Sequence, residues 1–187
     1  MHRSALLLAL LLAACANGGP QPFVPDTARV LPGELSYGIA DPDVTSINLA
    51  AWAFADPGRT RNNPAEAARA CASMDYIAGE VYTSPRWAEI DALTKEQLLQ
   101  GRVEMRRALG IPLNAPSTLV VGGLAAAGNA LAFGNRQAAL AALSNPAFPN
   151  PEVTLARLSS LPYMLEANVG SLNTANEIFG HGQFRRD

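Results

Sequence analysis

An all-α fold is predicted, an irregular bundle of about seven short-to-medium helices, and three features predict it. No stretch alternates apolar and polar residues over the length of a strand, and β-branched residues are few beside Ala and Leu, so nothing favours half-buried strands. One local device recurs instead: a Pro opens a segment of helical apolar spacing at Asp41-Pro42, Asn63-Pro64, Ser84-Pro85, Ala115-Pro116, Asn150-Pro151 and Leu161-Pro162. Pro suits the first helical position because its missing N–H would have no partner there, and a preceding Asp, Asn or Ser caps the free amides behind it. Hydrophobic residues make up 49% of the 187 and charged residues 16%, which is ample for one core and too apolar for wholesale disorder.

The chain begins with a short basic stretch, Met1-His2-Arg3, an apolar run from Ala5 to Leu12, and the small residues Ala13 and Ala14. This is the order of an export signal. The run stops at Asn17-Gly18-Gly19-Pro20, well short of the roughly twenty apolar residues of a membrane span. At its end Leu12-Ala13-Ala14-Cys15 resembles the lipobox of bacterial lipoproteins. The resemblance covers only the first fifteen residues. It implies cleavage of a 1–14 signal peptide and lipidation of Cys15 as the mature N-terminus. With Ala16 rather than Asp after the Cys, it also implies an outer-membrane anchor facing the periplasm. The simpler alternative is an ordinary secretory signal cut near Ala14 or Ala16, with Cys15 incidental.

Residues 15–40, with Pro20, Pro22, Pro25 and Pro32 closely spaced, read as a Pro/Gly-rich linker between lipid and domain. A single helical domain is expected over 41–180, followed by a tail over 181–187. Its first helix is expected over Ser46 to Ala55. The second runs from Pro64 to about Tyr82, with Asn63 and Glu66 at capping-box spacing. Its apolar face gathers Ala67, Ala70, Cys71, Met74, Ile77, Ala78 and Val81. The third, Thr94 to Leu109, has the same cap spacing in Thr94 and Gln97, and an apolar face of Leu98, Met105 and Leu109. The segment from Pro116 to Phe133 is apolar all round and rich in Gly and Ala, so it is expected to be the buried central helix. The last helix, Pro162 to Phe179, shows an apolar stripe of Leu165, Val169, Leu172, Ala175 and Phe179.

Two charges fall on apolar faces: Asp75 on the second helix and Arg102 on the third. Burying either alone is costly, so they are expected to pair or each to meet another polar group. Asn129, Asn168 and Asn176 also interrupt apolar faces, and buried amides need partners. These five residues are the candidates for a buried polar cluster or a ligand pocket. No motif for a cofactor or a metal is present. His181 is the sole histidine beyond the signal, which rules out multi-histidine sites. The net charge of −2, together with export, argues against nucleic acid.

The function expected from these features is that of a lipid-anchored envelope protein working through contacts with an envelope protein partner. It is bound to the membrane by the Cys15 lipid and is more an accessory component than an enzyme. A small-ligand-binding protein of the periplasm is the first alternative. An envelope hydrolase using Asp75 and Glu80 with a further carboxylate such as Glu89 or Glu166 is the second.

Overall fold

The computed structural model describes residues 25–28 and 41–183. Among these residues there are seven α-helices and no strand, so the fold is all-α. The helices are α1 Pro42–Ala55, α2 Pro64–Thr83, α3 Ala92–Leu109, α4 Ser117–Ala132, α5 Arg136–Leu143, α6 Pro151–Leu158 and α7 Leu165–Gln183.

Pro opens α1, α2 and α6, and the residue before it caps the first two of these helices while Asn150 makes no side-chain cap. Asp41 Oδ1 accepts from Asp43 N at 3.0 Å, Asn63 Oδ1 accepts from Glu66 N at 3.2 Å, and Asn150 precedes α6. At Ser84-Pro85 the Pro opens only a single 3-10 turn, Pro85–Trp87. Pro116 is the residue before α4 rather than its first, and α7 begins three residues after Pro162. At its far end α7 runs through Gly180-His181-Gly182 to Gln183, so residues 181–183, expected in the tail, belong to the helix.

The helix buried on every side is α2. Fourteen of its twenty residues are buried, and α1, α3, α4 and α6 pack around it. Its face of Ala67, Ala70, Cys71, Met74, Ile77, Ala78 and Val81 lies in the core as expected. The alanines let neighbours come close: a Cβ on Gly128 of α4 would stand 3.0 Å from the Ala65 carbonyl oxygen.

The central position expected for the 116–133 segment is corrected accordingly. Val120, Val121, Leu124, Ala125 and Ala127 of α4 are buried, but Thr118, Leu119, Asn129 and Phe133 are exposed. An all-apolar composition conceals which side faces inward, because α4 selects its buried face by fit against α2 and α5. Gly122 lies on the open side, where an added Cβ would meet nothing within 4 Å. Gly122→Ala therefore gains helix propensity at no steric cost, an expected stabilisation of about 0.5–1 kcal/mol, readable as a raised melting temperature.

The pair α3 and α7 carries the second correction. Thr94 does not cap α3, which starts at Ala92. The cap comes from α7: Glu177 accepts from Asp91 N at 2.9 Å and from the Thr94 hydroxyl at 2.5 Å. At the opposite end, Glu104 of α3 accepts from Glu166 N at 2.7 Å and Ala167 N at 3.1 Å. Each helix thus supplies the carboxylate for the other's positively polarised N-terminus, which sets them antiparallel.

Between these ends the backbones touch. A Cβ on Gly101 would lie 2.8 Å from Ala167 Cα, and one on Gly170 would lie 2.7 Å from the Gln97 carbonyl oxygen. Only small residues fit such an approach, so α7 buries Ala167, Gly170, Ser171 and Thr174. The two hydroxyls need no partner from elsewhere: Ser171 donates to Ala167 O at 2.7 Å and Thr174 to Gly170 O at 2.8 Å, one turn back. Most of the stripe expected to face the core is turned outward, with Leu165, Leu172 and Phe179 exposed by 52%, 43% and 50%.

Candidate functional site

Asp75 is completely buried on α2, and its partner is Arg106 of α3 rather than Arg102. Arg106 Nε donates to Asp75 Oδ2 at 2.7 Å and Nη2 to Oδ1 at 2.8 Å, a bidentate pair. The remaining Arg106 donors go to Leu113 O at 2.9 Å, Ala115 O at 2.8 Å and Ser117 Oγ at 2.9 Å. A guanidinium has five N–H groups, so this one is fully satisfied by the helical domain. The pair joins α2, α3 and the turn that leads into α4.

Arg102 lies one helical turn before Arg106 and meets a different acceptor. Its Nη1 donates to the backbone carbonyl of Asp26 at 2.6 Å and more loosely to Ser117 Oγ at 3.3 Å. Burial is the main cause lowering its pKa, and the neighbouring Arg106 charge lowers it further, while Asp75 and Asp26 oppose both. A helical wheel places residues 102 and 106 only about 40° apart, so it cannot tell which stands level with Asp75. Arg106 is a basic residue in the last turn of α3. The signal for it was the i, i+4 arginine spacing on the face opposite an isolated buried carboxylate.

The linker expected over 15–40 contributes to this site directly. Asp26 Oδ2 accepts from Ser117 N, the first amide of α4, at 2.5 Å, and the Ser117 hydroxyl donates to Asp26 O at 3.4 Å. Pro116 has no side chain able to cap α4, so the carboxylate at this helix N-terminus comes from residue 26. Thr27 rests on Gly79 of α2, where an added Cβ would stand 2.6 Å from Thr27 Cβ. Pro25 and Ala28 are buried. At least four residues of the linker are therefore an arm docked in a groove between α2, α3 and the start of α4. The expected signal peptide over 1–14, Cys15, the rest of 15–40 and residues 184–187 lie outside the described residues.

The three asparagines do not join this cluster. Asn129 and Asn176 are exposed on α4 and α7. Asn168 is half-buried, and its Nδ2 donates to the Tyr163 hydroxyl at 3.1 Å. A shallow depression formed by Pro64, Leu131, Gly134, Arg136, Leu155 and Ser159 includes none of them.

The chemistry available at the buried cluster is that of binding and fastening. Asp75 has both oxygens engaged by Arg106 and is fully buried. Cys71, one turn before it, has its thiol pushed far up by burial and by the Asp75 charge, so the thiolate nucleophile is withheld. Glu89 and Glu166 are exposed and Glu80 is half-buried, while Asp75 is enclosed. Among the described residues no group of three His, Cys, Asp or Glu is placed to hold a metal ion. No described helix is long and apolar enough to cross a membrane.

A second polar cluster ties the start of α1 to the turn after α2. Arg86 binds Asp41 and Asp43, the latter at 2.9 Å, and lies 4.4 Å over the Trp87 ring. The Tyr76 hydroxyl donates to Asp43 at 2.7 Å. The Arg86 hydrogen bond holds the Asp41 carboxyl below its usual range. Arg59, in the polar loop after α1, is likewise engaged: it donates to Trp52 O at 2.6 Å and sits over the Trp52 ring. No family model matches the chain, and no match is found among curated proteins or solved structures.

Proposed function

We propose that this protein is a lipid-anchored accessory component of the cell envelope, held to the outer membrane through Cys15 and facing the periplasm, that works by binding another envelope protein. The observation that carries the binding role is the outward stripe of α7. Leu165, Leu172 and Phe179, with the half-buried Val169, lie on the side of the helix opposite Ala167, Gly170, Ser171 and Thr174. The exposed Tyr163 extends the patch beyond the helix start. Exposed apolar side chains gathered on one helix face mark interaction sites, and here Asn176 lies among them as a polar contact. The anchor rests on the likeness of Leu12-Ala13-Ala14-Cys15 to a lipobox.

The test is Leu172→Glu. A partner recovered with the wild-type protein from membranes is expected to be lost, because a charge in the middle of an apolar contact is costly to desolvate. The melting temperature is expected to stay within about 2 °C, as for most surface changes. Unchanged recovery of the partner contradicts a binding role for this face.

A further inference from the structure

The buried ion pair beneath the arm is complete without it. All five donors of Arg106 are met by Asp75, Leu113, Ala115 and Ser117, so the domain does not need the arm to close its buried ion pair. What the arm satisfies is a second set of groups aimed at one spot: the buried Arg102 guanidinium and the Ser117 amide at the start of α4. Both donate to a single residue, one to its backbone carbonyl and the other to its carboxylate. The contact at Gly79 adds shape, since only a missing Cβ lets the backbone and Cβ of Thr27 lie there. Thr27 makes no hydrogen bond through its buried hydroxyl, so polar recognition is concentrated in Asp26.

We propose that this groove is a binding site for an extended peptide carrying an aspartate, filled in cis by Pro25–Ala28, and that a competing peptide taking Asp26's place releases the arm. So short a dock is sustained by covalent attachment, which gives an effective concentration in the millimolar range, and a peptide in trans at similar concentration displaces it.

Release has a mechanical consequence that rests on the lipid-anchor reading above. With the arm docked, the nine residues 16–24 separate Cys15 from the domain and span at most about 30 Å at 3.3–3.6 Å each. With it released, the twenty-five residues 16–40 span at most about 90 Å. Capture of a peptide would thus let the domain reach much farther from the membrane.

The test uses the chain from residue 15 onward with Cys15→Ser and Thr27→Cys, measuring the reaction rate of the introduced thiol. Cys71 is buried and silent in this assay. The thiol is expected to react slowly in this parent and about tenfold faster or more with Gly79→Ala, whose Cβ overpacks the dock without touching the charged groups. A hexapeptide of residues 23–28, titrated to about 5 mM, is expected to accelerate the parent saturably. Its Asp→Ala version and succinate are not. Asp26→Lys, which sets a cation beside Arg102, is the second releasing variant, with far-UV circular dichroism confirming the fold of each.

The proposal is overturned if the thiol is fully reactive in the parent, or stays protected in both folded variants. It is also overturned if the hexapeptide has no effect or succinate works as well. The assay contains no lipid, so a failure of Cys15 anchoring, seen as wild-type protein that does not sediment with membranes, leaves these rates unchanged and removes only the tether consequence.

Discussion

Arg106→Leu is expected to cost the domain about 3–5 kcal/mol, the usual penalty for removing one partner of a buried ion pair. For a domain of this size that corresponds to a fall of roughly 10 °C in melting temperature. The cost arises less from the lost attraction than from what stays behind. Asp75 would keep a fully buried carboxylate with neither oxygen satisfied, and the Leu113 and Ala115 carbonyls would lose their donors. The double variant Asp75→Leu/Arg106→Leu is expected to recover part of the loss, because replacing both charges by apolar groups removes the desolvation debt. Thermal unfolding of the two variants decides the matter. Equal stability of Arg106→Leu and wild type would mean that the pair is not buried as described. Arg102→Ala is expected to cost less, since it removes only one strong hydrogen bond, the one that Arg102 donates to the Asp26 carbonyl of the arm.

Gly170→Ala is expected to destabilise by about 1–3 kcal/mol, the range for overpacking a tight contact, although the same change in an open helix would stabilise by up to about 1 kcal/mol. The added methyl would stand 2.7 Å from Gln97 O and 2.8 Å from Gln97 C. These are backbone atoms inside α3, so neither can turn aside, and relief requires the two helices to separate. Separation would also loosen the reciprocal caps of Glu177 on α3 and Glu104 on α7. Gly122→Ala on α4 is the internal control, and opposite signs for the two alanines, read from chemical denaturation, are the expected result. A stabilising Gly170→Ala would show that α3 and α7 do not touch at their backbones.

The helices were legible in the sequence wherever the chemistry is local. Asp41 and Asn63 cap the helices they precede, and the α2 face from Ala67 to Val81 is buried as its spacing predicts. What was hidden depends on axial level and on fit between elements. The spacing placed Asp75 and Arg102 on facing sides but could not rank Arg102 against Arg106. Apolar periodicity selected the large residues of α7 for the core, whereas the close approach of α3 admits only Ala167, Gly170, Ser171 and Thr174. Ser and Thr read as polar, yet in a helix they satisfy their own hydroxyls on the preceding turn and bury readily. The arm was hidden by its composition: Pro25 and Asp26 look like linker residues, and nothing local shows that Asp26 caps a helix ninety-one positions ahead.

The measurement that bears most directly on the proposed role is position-specific crosslinking in native membranes, with a photoreactive residue at Leu172 and, in parallel, at Glu177, which faces α3. Wild-type and Cys15→Ser backgrounds are compared at equal protein level. A discrete adduct with one envelope protein is expected from position 172, absent from position 177 and lost with Cys15→Ser. An adduct equally strong in the Cys15→Ser background would contradict the anchored role, and no adduct at position 172 from abundant, folded protein would contradict an interaction through α7.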